Sequence, residues 1–230
     1  MRNQVPVVLT REEIRYAHIT FSQFGEDMAV RRWVRRQRPD SHIFVDAGCF
    51  HPICYSNTLL LHKQGWKGVN IDMDPNKIAR FRVLRPLDHN VVAALSSSAE
   101  EKRMFHYDDG AIDRLGDVGE RDWESAIRTK PLCSALVHTE TLDSVLRKSP
   151  FPIPSIGYLN VDCEGYDLEV LRGLSLDRYK PAIITIEARS SQERKDVSDY
   201  LLPRGYAHLE TVSLTLVFVR EEPQSLLKAQ

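Results

Sequence analysis

The chain has 230 residues, of which 42% are hydrophobic and 27% are charged. A chain of this length and composition can bury a sizeable core, so we expect one globular unit. The formal net charge is -1, with 31 basic and 32 acidic residues. This balance gives no global field that would attract nucleic acid or an anionic membrane, and we expect no nucleic-acid partner.

The cysteines and the N-terminus indicate the compartment. Cys49, Cys54, Cys133 and Cys163 form no CxxC pair and have no histidines at zinc-binding spacing, so we expect reduced thiols. The first residues become charged too soon for a signal peptide. No run approaches the roughly 20 apolar residues of a membrane-spanning helix. We therefore predict a cytoplasmic protein without a transmembrane segment, for which peripheral contact with a membrane stays open.

Apolar strand patterns alternate with amphipathic helix patterns along the first part of the chain. Ser, Asn and Asp residues at helix starts, and Gly and Pro at the ends, set the boundaries. The predicted order is helix 22–37, strand 42–48, helix 56–65, strand 68–75, helix 76–84 and strand 90–95.

Residues 100–131 interrupt this alternation. Three glycines, Gly110, Gly116 and Gly119, lie there among many charges. We interpret the segment as an irregular insertion that serves as a lid or a dimer contact. Around it we expect an N-terminal helical segment, 1–40, that packs on a core domain, 41–230.

The alternation resumes after the insertion. The predicted order is helix 141–148, strand 156–162, helix 166–174, strand 181–188, helix 192–205 and a hairpin over 205–220. Strands that alternate with helices favour a doubly wound, mostly parallel α/β sheet with helices on both faces. The closing hairpin would add an antiparallel strand to that sheet.

Carboxylates follow the predicted strands where a ligand is expected. In doubly wound sheets the ligand lies outside the carboxyl ends of the strands. Most of the predicted strands end in acidic residues, which suits a cation or a sugar hydroxyl better than nucleotide phosphates. The acidic residues at these ends are Asp46, Asp72, Asp74, Asp162, Glu164 and Glu187.

The first predicted loop, VDAGCFHP at 45–52, has a single glycine, Gly48. The second and third glycines of a dinucleotide fingerprint are missing, so a pyrophosphate would find no backbone cradle, which weakens an NAD-dependent oxidoreductase reading. Asp72 lies 24 residues beyond Gly48, near the spacing of an acid that binds ribose hydroxyls. A nucleoside without phosphates, such as S-adenosylmethionine, fits this pattern.

Several motifs in order resemble the FkbM family of S-adenosylmethionine-dependent methyltransferases. They are SQFGED, VDAGCFHPICYSNTLLLHKQGWKGVNIDMDP, YLNVDCEGYDLEVLRGL and IITIEA, and the resemblance extends from Ser22 to Val219. It implies the seven-stranded, Rossmann-like class I methyltransferase sheet and O-methylation of sugar or polyketide hydroxyls.

The strand ends, the first loop and the resemblance together predict the cofactor-binding residues. Ser56, Asn57 and Thr58 would also cap a helix, and Asn57 or the helix N-terminus would reach the methionine carboxylate. The full set is Gln23, Asp46, Gly48, Phe50, Ser56, Asn57, Thr58, Asp72, Met73, Ala94 and Asp162.

Two mechanisms are open for the chemical step. Asp162, Glu164 and His51 are the candidates for activating the hydroxyl. In one mechanism, His51 or Asp162 is a general base that removes the hydroxyl proton. In the other, Asp162 and Glu187, with or without Glu164, bind Mg²⁺, which lowers the hydroxyl pKa. Structural roles compete with both: His51 lies in a turn, Asp162 and Glu164 precede a helix that they would cap, and Glu187 ends a strand.

The remaining features bear on the partner. Arg31, Arg32, Arg35, Arg36 and Arg38 form either a solvated stripe or a surface for an anionic partner such as a phospholipid or a diphosphate-linked glycan. Trp123 is a candidate for stacking on a sugar ring, whereas Trp66 is expected in the core.

We therefore predict an O-methyltransferase that acts on a sugar hydroxyl of a cell-surface glycan, glycolipid or glycosylated metabolite. The alternative is a non-catalytic module that binds a nucleotide or glycan on the same fold.

Overall fold

The computed structural model describes residues 8–107, 113–116 and 130–221. The helices are α1 Arg11–Ile14, α2 Glu26–Gln37, α3 Leu59–His62, α4 Pro75–Leu84, α5 Leu142–Arg147, α6 Asp167–Arg172, α7 Leu176–Tyr179 and α8 Ser191–Leu201, which a 3₁₀ turn at Leu202–Arg204 follows. The strands are β1 Ile43–Ala47, β2 Lys67–Asp72, β3 His89–Val92, β4 Ala94–Leu95, β5 Glu101–His106, β6 Arg114–Gly116, β7 Cys133–Glu140, β8 Tyr158–Val161, β9 Ile183–Glu187, β10 Tyr206–Val212 and β11 Thr215–Arg220.

The main sheet has seven strands in the order β10-β11-β9-β8-β1-β2-β3. Strands β3, β2, β1, β8 and β9 run parallel to one another. Strand β11 is antiparallel to both β9 and β10, because the chain returns through the hairpin to fill the place between them. A mostly parallel α/β sheet with a C-terminal antiparallel hairpin is therefore present, as the sequence pattern predicted.

Helices cover both faces of this sheet. Side chains alternate across a strand, so neighbouring residues of β1 enter different clusters. Phe44 packs with Val30 and Val34 of α2, whereas Val45 and Ala47 lie in a larger cluster with residues of α5, α6 and α8. The chain steps outward from β1 in one direction to β3 and in the other to β9. The carboxyl ends of β1 and β8 meet at the centre of one edge.

The predicted strand 90–95 is split between two sheets. Residues His89–Val92 extend the main sheet as β3, and Ala94–Leu95 form β4, which pairs in parallel with β7. The Ala93 N–H donates to the carbonyl of Asp72 at 3.0 Å and ends the pairing with β2. The apolar run reads as one strand because the sequence does not reveal that its two ends pair with different partners.

The segment predicted as an irregular insertion contains regular structure. Strands β5 and β6 lie within 100–131, and with β4 and β7 they form a second sheet in the order β4-β7-β5-β6. We missed β7 because most of its residues are exposed and it lacks a buried-strand pattern. Residues 108–112 and 117–129, with Trp123 among them, lie outside the described residues, so the lid or dimer role stays a prediction.

Two helices start later than predicted because polar side chains hold the preceding turns. Helix α2 begins at Glu26, since the Asp27 carboxylate accepts hydrogen bonds from the Phe21 N–H at 2.7 Å and the Thr20 hydroxyl at 2.6 Å. The predicted helix 56–65 is reduced to Leu59–His62, although the Ser56 hydroxyl still accepts the Leu59 N–H at 3.2 Å.

The arginine-rich helix α2 lies on the surface. The Nη2 atom of Arg32 donates to both carboxylate oxygens of Glu210 at 2.8 and 3.0 Å, and Arg35, Arg36 and Arg38 are exposed. The choice between a solvated stripe and an anionic partner stays open. Of the helices within the described ranges, none combines the length and the apolar character needed to cross a bilayer.

Candidate active site

A cleft opens at the carboxyl ends of β1, β2 and β8. It consists of two adjoining cavities of about 500 and 490 Å³, which share a wall made of Gly48, Phe50, Asp162 and Glu164. The strand ends therefore converge where a doubly wound sheet binds its ligand. Of the predicted site residues, Gln23, Asp46, Gly48, Phe50, His51, Ser56, Asn57, Asp72, Met73, Ala94, Asp162 and Glu164 border these cavities.

Gly48 brings the first loop against the loop that follows β8. Its φ is +83°, a backbone angle that residues with a side chain rarely adopt. A Cβ at this position would lie 1.7 Å from the Asp162 carbonyl oxygen. Any larger residue would push the two loops apart. The single glycine of the first loop is thus required for close packing within the cleft wall.

The first cavity has an apolar wall with Asp72 at its edge. Ile71, Met73, Ala94 and Leu115 contribute the apolar surface. The Asp72 carboxylate accepts the Asp74 N–H at 2.8 Å, and the Lys77 ammonium lies 3.4 Å from its other oxygen. Burial raises the pKa of Asp72 although Lys77 opposes the shift. The arrangement has room for a flat base and offers a carboxylate to hydroxyl groups.

Sequence reasoning missed Lys77, the charged partner of Asp72, and Asp113, which pairs with the same lysine. The Lys77 ammonium lies 3.8 Å from Asp113 and 5.6 Å from the centre of the Phe50 ring. Asp113 precedes β6 and accepts the Tyr107 N–H at 2.9 Å. The second sheet therefore contributes to the cleft. A lysine in the first turn after the Asp72 strand was a usable signal, but nothing in the sequence indicated Asp113.

The second cavity is bordered by polar side chains that bind one another. Asp46 is 3% exposed, and its two oxygens accept hydrogen bonds from the Thr58 hydroxyl at 2.8 Å and the Asn160 amide at 2.9 Å. Burial raises the pKa of Asp46. Thr58 is fully buried. Asp46 and Thr58 therefore hold the wall in shape, and Asn160, which we did not predict, joins them.

A buried arginine supports the same wall. Arg85 is 1% exposed, and its guanidinium donates to the Pro52 carbonyl at 2.5 Å and to the hydroxyls of Ser56 and Thr58 at 2.9 Å. This cation, directly after α4, fixes the loop that carries the predicted cofactor residues 56–58. In the sequence Arg85 looks like one of many surface arginines, so nothing marked it as a site residue.

The His51 ring is engaged in its own turn. Its Nδ1 accepts the N–H groups of Ile53 and Cys54, both at 3.0 Å, so the neutral ring carries its proton on Nε2. Burial, with the nearby Arg80 and Arg85, lowers the pKa of His51. The nitrogen that a general base would use is thus occupied by the backbone, which favours the structural role of His51.

Three carboxylates gather where β8 and β9 end. Ligand oxygens of Asp162, Glu164 and Glu187 lie within 4.8 Å of one another. Burial first, and then mutual repulsion, raises the pKa of Asp162 to about 8 and that of Glu164 to about 7. Burial and the repulsion from Glu164, against the pull of Arg189, raise the pKa of Glu187 to about 7.

Arg189, which we did not predict, provides a cation for this cluster. Its guanidinium donates to Glu164 and lies 2.9 Å from Glu187. Within the described residues, the Asp162 Oδ1 is buried and has no hydrogen-bond partner. Two of the acids are therefore paired, whereas Asp162 keeps one oxygen for a ligand.

Within the described residues, neither Asp162 nor Glu164 caps α6, whose N-cap residue is Tyr166 and which has no side-chain cap. The Asp167 carboxylate accepts the N–H groups of Cys163 at 2.8 Å and Gly165 at 2.9 Å, and so closes the turn before α6. Glu164 has a φ of +56°, an uncommon conformation for a residue with a side chain. This conformation directs attention to Glu164 as a functional residue.

The same cluster is the place for the predicted Mg²⁺. Carboxylate oxygens suit that ion. However, Arg189 already contacts Glu164 and Glu187 and supplies the positive charge that a metal would bring. The three carboxylates therefore suit the guanidinium of Arg189 better than a metal ion.

The fold and the cleft together define a class, the α/β proteins with a mostly parallel sheet and a cleft at the carboxyl ends of its strands. Residues 46–211 match the family described as the methyltransferase FkbM domain. The chain belongs to this family of methyltransferases. No curated protein and no solved structure gives a significant match.

Proposed function

We propose that the protein transfers a methyl group from S-adenosylmethionine to a hydroxyl of a sugar in a glycan, a glycolipid or a glycosylated metabolite. The observation that carries this proposal is the group of three carboxylates beside the cleft, of which Asp162 has a raised pKa and an unpaired oxygen.

The shape and charge of the cleft support the cofactor assignment. Gly48 provides no phosphate cradle, and the acidic side chains around both cavities disfavour a di- or triphosphate. Asp72, at the edge of the apolar cavity, is suited to accept hydrogen bonds from the ribose hydroxyls. A nucleoside with a cationic sulfonium and an amino-acid tail agrees with these features.

Asp162 is our candidate for the general base. The cofactor supplies a methyl group on a sulfonium, which is already activated toward an oxygen nucleophile. The sugar hydroxyl must lose its proton as the new C–O bond forms, and Asp162 accepts that proton. A base whose pKa lies near the working pH is efficient because a useful fraction of it is unprotonated while it stays basic enough to accept the proton. Glu164 and Arg189 would orient the acceptor next to it.

A third cavity of about 320 Å³ supports a sugar as the acceptor. Its border includes Gln23, Phe24, Tyr55, Asp162 and Glu187. Phe24 is 54% exposed and Tyr55 is 52% exposed, so each offers an aromatic surface to a sugar ring. Carboxylates and amides below would accept the hydroxyl hydrogens.

The experiment that tests this proposal is a calorimetric titration of the protein with S-adenosylhomocysteine, with Mg²⁺ and with EDTA. Micromolar binding, near -8 kcal/mol, supports the cofactor assignment. Formation of S-adenosylhomocysteine from S-adenosylmethionine would then be measured with a panel of sugars and glycosides. Activity that survives EDTA supports the base mechanism, whereas activity that requires Mg²⁺ supports the metal mechanism.

Absence of binding in both conditions would contradict the proposal. Binding without methyl transfer to any acceptor would instead support the non-catalytic module. The cytoplasmic location and any contact with a membrane surface stay predictions.

A further inference from the structure

One amide oxygen in the cleft lacks a partner. Among the described residues, the Oδ1 atom of Asn57 is buried and accepts no hydrogen bond. Asn57 borders both the polar cavity beside Gly48 and the cavity beside Tyr55. A buried carbonyl oxygen without a donor is unfavourable by about 1 to 3 kcal/mol, so this atom indicates a ligand that supplies a donor.

The orientation of this amide follows from its neighbours. Arg85 can only donate, so the hydroxyl oxygen of Thr58 accepts from it at 2.9 Å. The Thr58 hydrogen is then directed to Asp46, 2.8 Å away. Both ends of this link are fixed because Arg85 has no acceptor and the Asp46 carboxylate has no donor.

Asp46 fixes two amides in turn. Its second oxygen accepts from the Asn160 amide nitrogen at 2.9 Å, which directs the Asn160 Oδ1 toward Asn57. The Asn57 amide nitrogen donates to that oxygen at 3.1 Å. The Asn57 Oδ1 must therefore be the atom on the other side. We call the hydrogen-bonded series of the Asp46, Asn160 and Asn57 side chains the amide relay.

We infer that the amide relay presents the Asn57 Oδ1 to the α-ammonium of the cofactor's amino-acid tail. This inference rests on the proposed function. Asn57 shares its cavity with Gly48 and Phe50, which also border the nucleoside cavity, so a tail attached to the ribose passes this point.

The charges of the same region favour an ammonium as the donor. An ammonium has three hydrogens and no acceptor, and the nearby cavity walls include Glu26, Asp162 and Glu187. A cation in this position gains from these acids, whereas a neutral hydroxyl gains less. Asp46 is then a positioning residue that acts through Asn160 and Asn57 and does not itself contact the cofactor.

The test uses two ligands that differ by the amino group. S-adenosylhomocysteine and its desamino analogue, in which hydrogen replaces the amino group, are titrated into the wild-type protein and the Asn57→Ala variant. We expect the variant to lose about 10- to 100-fold in affinity for S-adenosylhomocysteine, because a hydrogen bond to a charged group is lost. Its affinity for the desamino analogue should stay within about twofold of wild type.

Two further variants control the experiment. Asn57→Leu fills similar space without an acceptor and should show the same selective loss. Thr185→Val is the matched control, because Thr185 donates to the Asn160 Oδ1 at 2.8 Å but does not belong to the relay. It should keep the preference for the amino-bearing ligand. Thermal unfolding of each variant checks that it is folded.

The outcomes separate this inference from the proposed function. An equal loss for both ligands, or no loss for either, overturns the inference while the cofactor assignment stands. Failure of the wild-type protein to bind S-adenosylhomocysteine overturns the proposed function and the inference with it.

Discussion

Two aspartates at the same edge of the main sheet have opposite surroundings. Asp46 lies near the carboxyl end of β1, and Asp162 follows β8, the strand that pairs with β1. Burial raises the pKa of both. Asp46 has a hydrogen-bond donor on each oxygen, whereas Asp162 faces two other acids and keeps one oxygen unpaired.

Burial alone therefore does not assign a role to a carboxylate, because it raises the pKa of both Asp46 and Asp162 although the two differ in their partners. A buried acid with both oxygens satisfied contributes to a rigid wall. A buried acid among like charges holds a proton more strongly and can exchange it near neutral pH.

The largest expected effect is on turnover. Asp162→Asn removes the proposed base while it keeps the size of the side chain. We expect the turnover rate with an accepted sugar to fall about 100- to 10,000-fold. Affinity for S-adenosylhomocysteine, measured by calorimetry, should change only a few-fold. An equal decrease in affinity and in folding stability would show that Asp162 is structural like Asp46.

The pH dependence of the rate follows from the same carboxylate. The pKa of Asp162 is raised to about 8, so the base is active above that pH and becomes protonated as the pH falls. We expect the turnover rate to fall about tenfold for each pH unit below the apparent pKa of the cluster. A rate that is flat between pH 6 and pH 9 would contradict a carboxylate base.

The expected effect of Asp46→Ala is mainly on stability. The change leaves Thr58 and Asn160 without their acceptor and removes a negative charge near the buried Arg85. We expect the free energy of unfolding, measured with denaturant, to fall by about 2 to 4 kcal/mol. A variant of unchanged stability with lost cofactor binding would make Asp46 a direct ligand.

Asp72 tests the other side of the cleft. If its carboxylate binds the ribose diol, Asp72→Ala should weaken the binding of S-adenosylhomocysteine by about 1 to 3 kcal/mol. The binding of 5′-methylthioadenosine should be weakened equally, because this ligand keeps the ribose and lacks the amino-acid tail. Asn57→Ala, which acts on the tail, provides the matched control and should leave 5′-methylthioadenosine unaffected.

The smallest expected effect is the pH dependence of stability. Carboxylates with raised folded-state pKa values favour the protonated folded protein. Their stabilising contribution is complete below pH 4 and is lost as the pH rises through about 7 to 8. Between pH 5 and pH 8, Asp162→Asn should lose less stability than wild type, by on the order of 1 kcal/mol. Parallel curves for the two proteins would argue against a shared cluster.

Three features could be predicted from the sequence alone: the alternation of strands and helices, the acidic residues at the strand ends, and the family. These features are local: a strand pattern, a capping residue or a short motif is complete within a few neighbouring residues. The positions of Gly48, Asp72, Asp162 and Glu187 at one edge then followed, because parallel strands end together.

The hydrogen-bond and ion-pair partners of these residues depend on the tertiary structure. Asn57 and Asp46 reach Asn160 across 103 and 114 positions of sequence, and Arg189 reaches Glu164 across 25. The pairing of β4 with β7, which helps to build the second sheet, also joins segments that are far apart in sequence, such as Ala94 and Thr139. Such contacts depend on how the elements pack, and no local pattern encodes them. The tertiary structure therefore satisfied one aspartate with hydrogen bonds and left the other among like charges.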